Sequence, residues 1–176
     1  MCFRTSGFGG FMVQENCGDF NVLCSLIKNG GIVANAEGSV ADEIFESVCS
    51  SVEMPEGVER NFLKTELTER EKILSTAVGH GVAIPHPRKS ILQKESDQRI
   101  IVCYPKNRID MSSPDGTTVF VMFILLTKET KVHLGALSDL AKLVHCLEFR
   151  QFLETKPDAA ALVEKISFLH ESGKLG

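Results

Sequence analysis

Apolar positions recur at two different spacings along this chain and divide it into a helical beginning, a strand-rich middle and a helical end. Val22, Leu23, Leu26 and Ile27 share one helical face, and Asn29-Gly30-Gly31 ends that stretch because glycine supplies a left-handed cap. Ser39 with Asp42 and Glu43 reads as a second helix start, with Val40, Ile44, Val48 and Val52 at i, i+4 spacing behind it. Pro55-Glu56-Gly57 breaks the chain, and Val58, Phe62, Leu63 and Leu67 predict a third helix.

From Ser75 the period changes. Gly79 and Gly81 flank a turn, and Val82-Ala83-Ile84 is a short extended piece closed by Pro85, which holds the preceding residue in the extended region. Arg99–Tyr104 and Thr117–Leu126 are the two best strands, separated by Pro105 and the turn Pro114-Asp115-Gly116. The last third returns to helical spacing. Leu134, Leu137, Leu140, Ala141 and Val144 form one apolar face, Phe149, Phe152 and Leu153 follow, and Asp158 caps a helix that carries Ala161, Leu162, Ile166 and Leu169 and stops at Gly173. Helices before, between and after strands imply an α/β layer fold, a small sheet covered by helices.

Length and composition narrow the class. The 176 residues, 43% hydrophobic and 24% charged, fit one globular domain with a short extension. Residues 1–19 are rich in Gly and Phe without a period and read as an irregular extension, leaving 20–176 as one domain. The net charge of −4 argues against a cationic nucleic-acid module. The longest apolar run, Val119–Leu126, is far short of the roughly 20 residues a membrane-spanning helix needs and reads as a buried strand. The N-terminus lacks the apolar core and cleavage site of a signal peptide. The six cysteines form no CxxC pair and read as reduced thiols of a cytoplasmic protein.

The candidate chemistry lies in the histidines. His145 and His170 sit within helical patterns and read as structural or surface residues. His86, in GHGVAIPHPR, is held between Pro85 and Pro87, which stiffen the backbone on either side. It reads either as a deliberately placed imidazole or as a loop histidine in a proline-rich turn. His133 opens a helix, where free N–H groups and the macrodipole attract anions and disfavour imidazolium; it reads either as a phosphate-facing group or as a polar neighbour of the cap. Neutral imidazole is a nucleophile near neutral pH, and phosphoryl transfer needs little beyond an in-line nucleophile and stabilisation of charge on the equatorial oxygens. A second histidine, an arginine fork and a helix N-terminus would supply that stabilisation. No Walker loop, Gly-rich nucleotide loop or DxD pair is present, which argues against ATP as donor.

These residues match a family. Arg70-Glu71, then Ser75 to Ala83 and Ile84-Pro85-His86, resemble the signature of the mannitol/fructose-class EIIA domains of the bacterial phosphotransferase system, most of all the nitrogen-regulatory (PtsN) branch. Asp115-Gly116, Val119-Phe120, Leu125-Leu126, His133-Leu134, Leu137, Leu140-Ala141, Leu147, Phe149-Arg150 and Leu153 resemble its second half, and the likeness runs from about Asn21 to Leu169. The resemblance implies a mixed sheet sandwiched by helices. It implies that His86 accepts the phosphoryl group, that His133 is the second active-site histidine, and that Arg70 stabilises charge. Arg88, Thr76 and His80 are further candidates for phosphate binding. The donor would be a phospho-HPr-type carrier or its nitrogen-branch relative (NPr). No cofactor or metal is implied.

Three departures from the family pattern stand out. Ala77 replaces a usual glycine, His80 a common asparagine, and Pro87-Arg88 a small residue. The resemblance favours a regulatory phosphocarrier acting on a target protein. The alternatives are a sugar-specific EIIA that passes the group to a separate EIIB, a three-histidine zinc hydrolase built on His80, His86 and His133, and a partner-binding module that is never phosphorylated.

Overall fold

The computed structural model describes residues 20–175. Five strands form one mixed sheet: β1 (Ile32–Ala36), β2 (Ala77–Gly79), β3 (Val82–Ala83), β4 (Arg99–Pro105) and β5 (Val121–Leu126), in the order β1-β4-β5-β3-β2. The inner pair β4/β5 is antiparallel with Ile100 opposite Leu125 and Val102 opposite Phe123. β1 lies parallel to β4, β3 parallel to β5, and β2 antiparallel to β3. Six α-helices are described: α1 (Phe20–Gly30), α2 (Ala41–Ser51), α3 (Arg60–Ile73), α4 (Thr130–His145), α5 (Leu147–Leu153) and α6 (Ala159–Glu171).

The period-2 geometry of the strands sorts their side chains onto two cores. Ile100, Val102, Tyr104, Val121, Phe123 and Leu125 face α1, α4, α5 and α6. Ile101, Cys103, Met122, Ile124 and Leu126 face α2 and α3. Both sheet faces are therefore covered, which is why β5 reads as an unbroken apolar run rather than an alternation. The expected helix–sheet–helix layering is observed. α1 lies so close to the sheet that a Cβ on Gly30 would stand 2.0 Å from the Ile100 carbonyl oxygen, so only glycine fits there.

Several expectations about individual elements need correction. β1 has no counterpart in the sequence reading; only Val33 and Ala36 of its five residues are buried, so its apolar pattern is faint. The strand expected from Thr117 begins at Val121, preceded by a single bridge from Val119 to Ile109. Phe62, Val40 and Leu134, assigned to apolar faces, are 48%, 52% and 61% exposed. The buried face of α4 is instead Ala136, Asp139, Leu140, Leu143 and Val144. α2 begins at Ala41 with Val40 at its cap, while the Ser39 N–H donates to Glu43 Oε2 at 2.7 Å. Both expected ends of the last helix hold: Asp158 Oδ1 accepts from the Ala161 N–H at 2.8 Å at its start, and Gly173 turns left-handed at φ +67° just beyond its end. The expected extension at residues 1–19 lies outside the described residues.

Candidate functional site

The sheet topology builds the site. β3 and β5 run parallel as neighbours, so their carboxyl ends emerge on the same edge. His86 leaves β3 and Thr127 leaves β5 side by side there, and the Leu125 N–H donates to the Pro85 carbonyl at 2.8 Å. The chain after Thr127 turns directly into α4, which brings His133 over the end of β3. The imidazoles of His86 and His133 lie with ring centroids 5.1 Å apart at 68°. The crevice outside the carboxyl ends of such strands is where open α/β sheets place their ligands.

A cleft of about 600 Å³ opens at this edge, lined by Arg70, His86, Arg88, Lys89, Lys128 and His133 together with Ile73, Pro87, Thr127 and Glu129. Arg70 comes from the last turn of α3 and its Nη1 donates to the Leu74 carbonyl at 2.6 Å. Four cationic side chains thus face one carboxylate in a chain whose net charge is −4.

The ring orientation of His86 is fixed by the backbone. Nδ1 lies 2.8 Å from the Ile84 carbonyl oxygen. A carbonyl only accepts, so Nδ1 carries the proton and Nε2 keeps its lone pair. Burial holds the pKa of His86 below the usual histidine value, with the positive charge of Arg70 adding to it. The Ile84 hydrogen bond and Glu71 work in the opposite direction but do not prevail. His133 is also held low, first by burial and then by the charge of His86. The sequence-based cause for His133, a position at the helix opening, needs adjustment: its N–H already donates to the Glu129 carbonyl at 3.0 Å, one turn inside α4.

Thr76 and His80 are placed away from the cleft lining. Thr76 is buried; its N–H donates to both oxygens of Glu71 at 3.1 Å, and its carbonyl accepts from the Ile84 N–H at 2.9 Å. It therefore ties α3 to the β2–β3 hairpin. His80 sits at the hairpin tip with φ +56°, its N–H donating to Asp115 Oδ2 at 2.7 Å and its ring 6.2 Å from that of His145. His145 ends α4, twelve residues after His133. At the helical rise that is about 18 Å, so His80 and the His86–His133 pair lie against opposite ends of one helix. The three-histidine zinc site is thereby excluded as an assembly, and among the described residues no group of three or more His, Cys, Asp or Glu is placed to hold a metal ion.

Sequence reasoning missed Thr127, Lys89, Lys128 and Gln98. Gln98 Oε1 accepts the N–H of Lys128 at 3.0 Å and of Glu129 at 3.3 Å, pinning the turn that leads into α4. The available signal was the polar Thr127 ending an apolar run six residues before a histidine.

Residues 25–168 match the family model described as phosphoenolpyruvate-dependent sugar phosphotransferase system, EIIA 2. The chain belongs to this family, and is a component of a phosphoryl-transfer relay. It is similar to a nitrogen regulatory protein of Pseudomonas aeruginosa, 30% identical over 146 residues that span 81% of this chain and 92% of the relative. A nitrogen regulatory protein of Bradyrhizobium diazoefficiens is 38% identical over 98 residues, 54% of this chain and 62% of that protein. The multiphosphoryl transfer protein 1 of Escherichia coli K12 is 27% identical over 140 residues, 78% of this chain but only 16% of that longer protein. The crystal structure of nitrogen regulatory protein IIA-Ntr from Neisseria meningitidis has the same fold, with TM-score 0.65 and 24% identity over 82% of this chain and 99% of that one. Among the described residues no helix is long and apolar enough to cross a membrane.

Proposed function

We propose that this protein is a regulatory phosphocarrier that takes a phosphoryl group onto Nε2 of His86. The observation that carries the reading is the half-buried His86 ring, tied back through Nδ1 to Ile84 and bordering a cleft lined by four cations. The lone pair on Nε2 forms the new P–N bond. The P–N bond of the donor phosphohistidine breaks, and its electron pair stays on the donor ring. Bonds of the same kind are exchanged, so catalysis reduces to positioning and charge stabilisation. Arg70 and His133 border the cleft where the equatorial oxygens would lie, and Arg88, Lys89 and Lys128 add positive potential at its mouth. Low pKa values keep both rings neutral near pH 7, one as nucleophile and the other as hydrogen-bond donor. Thr76 then supports the hairpin and His80 stands outside the reaction.

The donor in this reading is a phospho-HPr-type carrier, which enzyme I charges from phosphoenolpyruvate. The acceptor is a regulated target protein, not an EIIB. Near end-to-end likeness to a nitrogen regulatory protein, 92% of its length, supports the regulatory assignment over sugar transport. The phosphocarrier domain in this reading comprises residues 20–176. A cytoplasmic site of action accords with the free thiols Cys24, Cys49, Cys103 and Cys146.

The test is transfer of label from phosphoenolpyruvate through enzyme I and an HPr-type carrier. Acid-labile, base-stable label on the wild type and none on His86→Ala is expected. Label retained on His86→Ala would refute the assignment.

A further inference from the structure

The two rings in the cleft are alike in type, yet their second nitrogens face different groups. His86 Nδ1 faces a carbonyl, which can only accept. His133 Nδ1 lies 3.0 Å from Oγ1 of Thr127, a hydroxyl that can donate. Thr127 is 9% exposed, and among the described residues the His133 ring is its hydroxyl's hydrogen-bond partner. Were His133 to carry its proton on Nδ1, the hydroxyl would accept, and its own proton would have no protein acceptor among the described residues, an arrangement folded proteins avoid. The hydroxyl therefore donates, Nδ1 is bare, and the proton of neutral His133 resides on Nε2.

We infer that Thr127 is a positioning residue that holds His133 in the tautomer opposite to that of His86, so that one ring presents a lone pair and the other an N–H. This gives the pair its direction. Nε2 of His86 is free to attack phosphorus. Nε2 of His133 is capped by a proton and cannot, and it donates a hydrogen bond to a phosphoryl oxygen without giving the proton up. The only bare nitrogen of His133 is occupied by Thr127. The device is anchored from outside the cleft. Thr127 is the residue immediately after β5, and the next two N–H groups, of Lys128 and Glu129, both donate to Gln98. Loss of that anchor would let the hydroxyl leave the ring.

The kinetic consequence rests on the phosphocarrier reading; the tautomer assignment does not. In the unphosphorylated protein with ¹⁵N-labelled histidine, at mildly alkaline pH where both rings are neutral, nitrogen NMR should show a bare Nδ1 and protonated Nε2 for His133 and the reverse for His86. A proton on Nδ1 of His133 would overturn the inference whether or not the protein accepts label. Thr127→Val keeps the side-chain shape and removes the hydroxyl. It should lower the maximal transfer rate about tenfold with the KM for the donor carrier unchanged, and Thr127→Ser should restore most of the rate. Transfer by Thr127→Val at the wild-type rate would also overturn it. If the wild type takes no label at all, the phosphocarrier reading fails, and the tautomer measurement still decides the role of Thr127.

Discussion

The two ends of α4 carry a histidine pair each, and the surroundings of the two pairs differ sharply. At the N-terminal end His133 meets His86 at 5.1 Å in a half-buried cleft with four cations on its walls. At the C-terminal end His145 meets His80 at 6.2 Å beside a carboxylate, with the His80 side chain 43% exposed. There Asp115 accepts from the backbone of His80 and from Thr117 and Ser113, which holds its carboxyl well below the usual range and keeps a negative charge at the hairpin tip. In the proposed reading, the cations of the first end favour an incoming phosphoryl group, and the Asp115 carboxylate beside the second pair does not. Imidazole proximity is common to both; ring orientation, desolvation and the sign of the surrounding charge separate them.

Substitutions can sharpen that contrast. His133→Ala should slow transfer by about two orders of magnitude, the usual loss when one preorganised donor to a developing charge is removed. His86 would still accept in this variant, and complete loss measured by label incorporation would mean that the two roles are not separable. Arg70→Lys should cost about tenfold, because an ammonium does not reproduce the planar fork. Unchanged single-turnover kinetics would reduce Arg70 to a brace for the Leu74 carbonyl.

Acidification should act more gradually. Both cleft histidines have folded pKa values below the roughly 6.5 of an unfolded chain. Between those values the unfolded state binds more protons, so their contribution to stability is present above about pH 6.5 and is lost as pH falls toward the folded values. Transfer should likewise persist below pH 6.5 and fall only when Nε2 of His86 protonates. A transfer midpoint at or above pH 6.5 would contradict the burial argument. The smallest effect belongs to the far end: His80→Ala should leave the transfer rate within about twofold, because its ring packs beside His145, which is about 18 Å along α4 from His133. A tenfold loss would show the two ends to be coupled.

Much of this arrangement is legible in the sequence, and the rest fails for identifiable reasons. The runs Arg99–Tyr104 and Val119–Leu126 announce a buried sheet because both faces are covered. Pro85-His86-Pro87 announces a fixed imidazole because proline removes local alternatives. β1 is hidden because a short edge strand with two buried residues has almost no pattern. Leu134 and Phe62 mislead because helical spacing does not say which apolar residues remain at the surface. Arg70, His86 and His133 carry motif signals that single them out. Thr127 is marked in the chain only as a polar residue ending an apolar run, and Gln98 not at all; the fold alone brings the Thr127 hydroxyl to 3.0 Å from His133 and Gln98 to Lys128, 30 residues away. His80 shows the converse: it stands within the motif, but its place at a hairpin tip puts it beside His145 at the other end of α4.

The most direct test maps the phosphorylated residue in the wild-type protein with all five histidines present. After charging through enzyme I and an HPr-type carrier, tandem mass spectrometry under alkaline conditions should place the phosphoryl group on His86 alone. Phosphate on His133, or on His80 at the far end of α4, would contradict the assignment.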